Sequence, residues 1–434
     1  MCKTENKKSL FKTLLLFLLI YAGLMTLFIG FNTVVAALPH TDRMEENFRK
    51  SAFILKNEGS LYRHLWVATD TCADSMILNI ALGYRYNHTN PLTAAMQNSM
   101  RCTIPTSSNE IELSLFADSP AAVAKSDKFQ TINYNRYFFG SSPFIKLFHY
   151  FAALKSFQVL LGSAVAVLAF ILFAKLYKNS DKIKLAAWLF LLFTSHFYIC
   201  FHSLQFTPVF FIGLATLAAL MRFRDDLLTR YIIFFIGGML SAYFDLLTTP
   251  LLAVMIPVLF IVDTDFAKTA GKFIDWLKIF VGYPLLWFIG YVSCWIGKLI
   301  IADIYNGRLF STVENMMLRL SNDGEDIYLA KANRLTGIVC AFEEFFSLNR
   351  IMFIAAVSAI AVILITCLCK KRFNNPKIAA AYLAYAALPL VFVVILLNHS
   401  ITHPWMAYRN IALSLTSLLL AAGTLFCKSG NAEK

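Results

Sequence analysis

Apolar residues in this chain gather in long blocks, and the polar residues fall between the blocks instead of alternating with them. Measured against the ~20 residues that cross a ~30 Å hydrocarbon core, the blocks near 10–37, 156–176, 183–201, 204–221, 229–246, 249–263, 276–301, 350–370, 378–398 and 406–427 predict about ten spanning helices, within a range of nine to eleven. The block at 249–263 is short and follows Thr248-Thr249-Pro250, so it and the block before it are expected to form a broken or re-entrant pair. Two long segments, 39–155 and 303–348, interrupt the series.

The first of these segments has its own pattern. SAFILKNEGSLYRHLWVATD and DSMILNIALGY carry apolar residues at helical intervals, and NYNRYFFGSSPFIKLFHYFAALKS, aromatic and basic, reads as a helix in the headgroup layer. Amphipathic surface helices are therefore expected over 39–155. In 303–348, helical apolar spacing with Arg308, Glu314, Arg319 and Arg334 precedes and follows the turn Ser321–Asp326, which reads as a solvated surface hairpin. The expected fold is an all-α polytopic bundle, one integral membrane domain over 1–434.

Composition agrees: 58% of residues are hydrophobic, 15% are charged, and mean hydropathy is +0.61, which excludes an ordinary soluble globule. Lys and Arg collect in MCKTENKK, KLYKNSDKIK, MRFRDDLLTR, the Lys268–Lys278 segment, KKRFNNPK and CKSGNAEK, which fall on alternate sides of the spans. Cationic loops resist translocation. Both termini are thus expected in the cytoplasm of a plasma (inner) membrane protein, with 39–155 and 303–348 outside. The net charge of +13 is assigned to this orientation and to anionic lipid, with no nucleic-acid partner expected. The first helix is long and lacks a small-residue cleavage site, so it reads as an anchor. Of nine cysteines, Cys72 and Cys102 share the first outer segment, where either a disulfide or two free thiols would be tolerated. No CxxC or other metal spacing is present, and neither is a phosphate-binding GxxxxGK[ST] or GxGxxG.

TDTCADSMILN, residues 69–79, sets Asp70 and Asp74 four residues apart ahead of an apolar run. If both are helical they share a face, close enough to raise one pKa or to hold a cation. Alternatively Asp70 or Thr71 caps the helix and Asp74 sits in its first turn, where the helix dipole favours a carboxylate. Other polar residues cluster on the same predicted side: His196, His202 and Gln205 between the third and fourth spans, Asp245 after the fifth, Asn398, His399, His403 and Arg409 around the last turn, and Arg136 with Tyr137 before the second. Ionisable groups near an apolar boundary are expensive and are usually paired or functional. The predicted inner ends carry only solvated lysines and arginines. An outward-facing cavity lined by carboxylates, imidazoles and arginines accounts for this asymmetry.

A cytoplasmic N-terminus, one span, a large outer loop of surface helices with acidic residues and then a bundle of spans resembles the GT-C class of membrane glycosyltransferases. More narrowly, ATDTCADSMILNIA, NRYFFGSSPFIKLF, SLQFTPVFFIG, SAYFDLLTTPLLAVMIPVLF and NHSITHPWMAYRNIAL resemble blocks of a bacterial membrane family grouped with that class. The resemblance implies transfer of a sugar from a polyprenyl-phosphate donor to an envelope polymer or lipid acceptor on the outer face, with a first-loop carboxylate as general base and cationic groups or a divalent cation, Mg or Mn, on the leaving phosphate. It implies Asp70 or Asp74 as base, with Asp42, nearer the end of the first span, as a rival. Arg136 and Arg409 become phosphate partners, His399 and His403 orient donor or acceptor, and Asp245 binds a sugar hydroxyl. Each residue also has a structural reading: Arg136 and Tyr137 as interfacial anchors, Asp245 as a cap. His399 and His403 have zinc-pair spacing, but Pro404 breaks a regular helix through them and no third ligand is evident. The competing classes are a transporter or flippase of a lipid-linked or anionic substrate, and a non-catalytic scaffold. No repeat of the hydropathy pattern supports transport.

Overall fold

The computed structural model describes residues 2–58, 61–87, 90–103, 129–178, 181–223, 226–267, 273–307, 335–370 and 373–426. The first apolar block forms α1 (Cys2–Ala37), after which the chain enters the expected surface layer with α2 (Asp42–Glu58). Met44, Phe48, Ser51, Ala52 and Leu55 of α2 recur every three or four residues and are all buried, which seats one stripe of the helix on the protein. A hairpin of β1 (Leu61–His64) and β2 (Val67–Asp70) follows, then α3 (Thr71–Asn87), α4 (Pro91–Gln97), the pair β3 (Ser99–Thr103) and β4 (Phe129–Asn133), and α5 (Ser141–His149).

The hairpins correct the expectation of an all-helical layer. β1 pairs antiparallel with β2, Leu61 against Asp70 and His64 against Val67, around a two-residue turn. Such a turn needs left-handed residues, usually Gly or Asn; here Leu65 and Trp66 adopt φ of 45° and 77°. Tyr198 holds them there, its hydroxyl placed to donate to the carbonyls of His64 (3.2 Å) and Leu65 (3.1 Å). The usual turn signal is absent because a distant tyrosine replaces it.

The bundle continues with α6 (Leu154–Lys178), α7 (Lys182–Thr194), a 3-10 turn (Phe197–Phe201), α8 (Thr207–Arg222), α9 (Leu227–Phe244), α10 (Pro250–Ala267), α11 (Phe273–Asn306), α12 (Thr336–Cys369), α13 (Pro376–Ile395), α14 (Leu397–Thr402) and α15 (Pro404–Phe426). Among the described residues seven helices are long and apolar enough to cross a membrane: α1, α6, α9, α11, α12, α13 and α15. The protein is a multi-pass helical membrane protein.

The other three predicted spans are shorter or differently used. Block 183–201 yields only the 13 residues of α7. Thr194 and Ser195 turn their hydroxyls back onto the carbonyls of Phe190 and Leu191, and His196 takes a left-handed conformation that ends the helix. Block 204–221 is the 16-residue α8. Block 249–263 is one continuous helix, separated from the helix before it by the non-helical residues 245–249. It forms the 18-residue α10, buried on every side from Leu251 to Val262, as a helix apolar all round requires. Conversely, α12 begins at Thr336, inside the segment read as a surface hairpin, and bends at Asn349, whose φ of −126° is non-helical. Arg308, Glu314, Arg319, Arg334 and the turn Ser321–Asp326 lie outside the described residues, as does the side chain of Cys102 and with it the Cys72–Cys102 pairing.

The end of the bundle away from the surface layer also departs from expectation. It holds buried ion pairs, not solvated cations alone: Arg230 with Asp265, to which Tyr283 also donates, and Lys184 with Asp263 at 2.7 Å. These tie α7, α9, α10 and α11 together.

Two buried lysines fasten the surface layer to the bundle by capping helix ends. Lys146 of α5 donates to the carbonyls of Ala36 (3.0 Å) and Leu38 (3.1 Å) where α1 stops, and Lys298 of α11 donates to Met96 at the end of α4. The last carbonyls of a helix have no partner within it.

Helices α9 and α11 meet through glycines. A Cβ on Gly238 would lie 2.0 Å from the Trp287 carbonyl oxygen, and one on Gly290 2.2 Å from that of Phe235. Close approach of this kind is what small residues permit between membrane helices. Gly238→Ala and Gly290→Ala are each expected to cost about 1–3 kcal/mol by overpacking, read as a lower unfolding temperature of the purified protein in detergent. Gly23→Ala, where a Cβ would meet nothing within 4 Å, should leave that temperature unchanged.

Candidate functional site

Helix α9 ends at Phe244, and the next residues form a tight connection that builds the site. Asp245 accepts from the Thr248 N–H (3.0 Å) and hydroxyl (2.6 Å) through Oδ1, and from the Tyr291 hydroxyl (3.2 Å) through Oδ2. The turn so closed holds Leu247 at φ 66°, a conformation a leucine adopts only under constraint. Leu247 faces a cavity of about 500 Å³, within the range of small-molecule sites.

The polar lining is Arg136, Tyr137, Tyr291, Asn398, His399, Thr402 and His403; the rest is apolar or aromatic, with Trp287 and Trp295 from α11. Arg136 sits on the link between β4 and α5. Its guanidinium lies 4.5 Å over the Tyr134 ring, and its carbonyl accepts from Trp295 Nε1 at 3.0 Å. No described carboxylate forms an ion pair with it. Asn98 fixes the neighbouring residue by donating to the Tyr137 carbonyl at 2.6 Å.

The imidazoles come from the break between α14 and α15. Pro404 starts a new helix, and His403 falls in the gap, its ring 4.9 Å from those of both His399 and Trp405. Phe288 on α11 and Ile395 on α13 line the opposite character of wall and are 57% and 60% exposed. Both helices are candidate membrane spans, so this flank of the cavity is apolar and exposed.

Five of the residues singled out from sequence thus meet in one cavity: Arg136, Tyr137, Asn398, His399 and His403. Asp245 stands behind its wall through Tyr291. The remaining ones do not line it. Asp70 is the last residue of β2 and caps α3 through the Ala73 N–H (3.0 Å), so it does not share a helical face with Asp74; the capping alternative is the one realised. Burial pushes its carboxyl up, against N–H bonds from Ala73 and Cys72 that pull it down. Asp74, 2% exposed, has both oxygens engaged by the Leu204 N–H (3.0 and 3.1 Å) and one also by Gln158 (3.1 Å). Burial pushes it well above the usual carboxylate range. Asp42 is exposed in the first turn of α2.

Arg409 does not line the cavity. It is fully buried, donates to the carbonyls of Ser195 (3.1 Å) and Trp405 (2.9 Å), and lies 4.0 Å over the Phe206 ring. Gln205 lies beside it along the chain, its amide 3.9 Å from Met406 Sδ. His202 sits 3.0 Å from Lys155 Nζ, with its ring 3.6 Å from that of His64.

Sequence reasoning missed Trp287, Tyr291 and Trp295. Their spacing, four residues apart twice over, puts three amphipathic rings on one helical face, and that signal was present in WFIGYVSCW. Among the described residues no three His, Cys, Asp or Glu side chains come together as metal ligands. Set beside known protein families, curated proteins and solved structures, the chain finds no match in any of the three.

Burial, then Lys155 and His64, depress His202 to about 4. It is therefore neutral in the fold at pH 7, while in the unfolded chain it titrates near ~6.5. Its contribution to stability is complete above the unfolded pKa and is lost as pH falls through the folded one. Buried Asp70 and Asp74, with raised carboxyls, act in the opposite direction, so the check is a difference: on going from pH 6.5 to pH 4 the unfolding temperature of His202→Gln should fall relative to its own starting value by less than that of the wild type, while His149, also depressed to about 4, keeps its contribution in both.

Proposed function

We propose that the protein is a membrane glycosyltransferase that takes its sugar from a polyprenyl-phosphate donor and passes it to an envelope polymer or lipid acceptor. The observation that carries this reading is the cavity itself, lined by a guanidinium with no carboxylate partner among the described residues, by two imidazoles and by exposed apolar side chains of two candidate membrane spans. A lipid-linked phosphate has that division of chemistry within one molecule. Arg136 can hold a phosphate oxygen pair through two parallel hydrogen bonds, His399 and His403 can donate to the remaining oxygens, and the isoprenoid tail leaves between Phe288 and Ile395. The GT-C likeness of the sequence points the same way. In this reading the surface layer faces outward and both termini are cytoplasmic.

Asp70 is the first-loop carboxylate we assign as general base. Asp74 spends its oxygens on Leu204 and Gln158, and Asp42 is solvated, whereas Asp70 is half-buried with a raised pKa. It lies on β2, which packs on α15, the helix that follows His403. A base must be ionised to act, so a raised pKa moves the acid limb of the rate profile to higher pH than for a free aspartate, near ~3.9. A flippase of the same lipid-linked sugar would also use a laterally open cavity; it would move the lipid across the bilayer and break no glycosidic bond.

Mass spectrometry of envelope glycans and polyprenyl-phosphate sugars in a deletion strain separates these readings. Loss of one sugar from a surface polymer with accumulation of its lipid-linked donor, restored by the wild type and not by Asp70→Asn, is the expected result. Asp70→Asn should reduce transfer by roughly 10²–10⁴-fold, the range for a lost general base, at unchanged membrane level, and Asp42→Asn should stay active. Unchanged glycans and donors in the deletion strain would overturn the transferase reading.

A further inference from the structure

A second hollow, of about 270 Å³, lies among α5, α6, α8 and α9. Helix α5 contributes Ser141 and Phe144 to it, α6 contributes Leu161, α8 its first turns, and α9 Leu240 and Phe244. Among the described residues no charged side chain lines it, and its two hydroxyls are those of Ser141 and Thr207. Thr207 spends its hydroxyl on the carbonyls of Cys200 (3.0 Å) and Ser203. Pro208 follows and has no N–H to offer, so the start of α8 presents less polar backbone than a helix start normally does. Phe144 and Phe211 stand at the edge, 40% and 46% exposed.

Helix length accounts for the hollow. The 16 residues of α8 extend ~24 Å, short of a ~30 Å hydrocarbon core. A Cβ on Gly162, about two turns into α6, would lie 2.7 Å from the Phe201 ring and 2.9 Å from the Cys200 carbonyl oxygen. The 3-10 turn that leads into α8 therefore sits well down the side of α6, and the space beside the start of α8 is left to apolar side chains.

Water needs two to four polar partners to stay in such a place. A helix, ~10 Å across with its side chains, is too wide. A single hydrocarbon chain is the right size, because a cavity of ~150 Å³ takes one benzene ring and this one would take roughly twelve carbons.

We infer that the hollow seats one acyl chain of a bilayer phospholipid. The bilayer is the source because α6 and α9 are candidate membrane spans, and because nothing charged lines the hollow to select a particular headgroup. This site is independent of the transferase reading, yet it shares a wall with the cavity. Tyr137 lines the cavity and Ser141 the hollow, while Leu247 lines the cavity and Phe244 the hollow. The Gly140 N–H joins the two segments by donating to the Tyr243 carbonyl at 2.9 Å. A Cβ on Gly140 would lie 2.7 Å from that oxygen, so the segments touch backbone to backbone. The acyl chain completes this wall from behind.

The test uses the full chain in nanodiscs of phosphatidylglycerol and phosphatidylethanolamine, with a fraction of the phospholipid carrying a diazirine on one acyl chain. After irradiation, peptide mass spectrometry should find label on Leu161, Phe211 and Leu240 in excess over Leu160 and Val167, which lie on α6 and are 55% and 60% exposed. Native mass spectrometry of the detergent-purified protein should show one retained phospholipid. Leu161→Trp, which fills the hollow with an indole, should cut that retention about tenfold, the effect of losing roughly two buried methylenes. Leu160→Trp should leave it unchanged. Equal labelling of the two sets of residues overturns the inference, as does a folded Leu161→Trp protein that keeps its lipid. Recovery of an isoprenoid lipid in place of a phospholipid from wild type overturns the acyl-chain assignment. Should Leu161→Trp fail to fold, the labelling ratio in the wild type decides.

Discussion

Every helix that stops inside or beside an apolar layer leaves carbonyls that water cannot satisfy, and the architecture of this protein follows from how those carbonyls find donors. Lys146 takes the end of α1, Lys298 the end of α4, and Asn349 (3.2 Å) and Arg409 the two carbonyls where α7 gives way to the 3-10 turn. Asn32 donates to Phe138 and Trp295 to Arg136 on the stretch that leads into α5. Each donor belongs to an element far away in sequence. The same bonds that satisfy a helix end therefore lock the surface layer onto the bundle.

Asp74 is the mirror case, an acceptor supplied to an orphan N–H. Its carboxylate meets Leu204 just ahead of α8 and, through Gln158, the start of α6. Two aspartates four residues apart thus divide their labour, Asp70 capping α3 locally and Asp74 bridging to the bundle. This distribution leaves Asp70 the freer carboxylate, and it explains why ionisable residues gather at one end of the molecule without all of them entering a site.

The cavity exists because the α9–α10 connection is short and strained and because α13, α14 and α15 are interrupted near it. Asp245 holds Leu247 left-handed, Pro404 separates His403 from α14, and the glycine contact of α9 with α11 brings Trp287 and Tyr291 up against the turn. Breaks in regular structure expose polar groups at a depth where continuous helices would have buried them. The exposed flank of the cavity consists of apolar side chains of α11 and α13, Phe288 and Ile395.

Much of this was legible in the chain before any coordinates. Blocks of apolar residues determined a polytopic helical bundle, because only helices satisfy their own backbone in lipid, and the same composition marked Arg136, Tyr137, Asn398, His399 and His403 as unusual at helix ends. Helix periodicity also placed α3, whereas the stretch 51–70, read as helical, is helix only to Glu58 and a hairpin from Leu61 to Asp70. What the sequence could not decide was partnership. The Leu65-Trp66 turn carries no glycine, and its stability comes from Tyr198, over 130 residues away. Arg409 reads as an anion ligand until Ser195 is seen to claim it, and Arg230 and Lys184 read as solvated until Asp265 and Asp263 appear beside them. Periodicity reports which residues face an apolar phase, a local property. Which donor meets which acceptor depends on contacts between segments hundreds of residues apart, and those arise only when the helices pack.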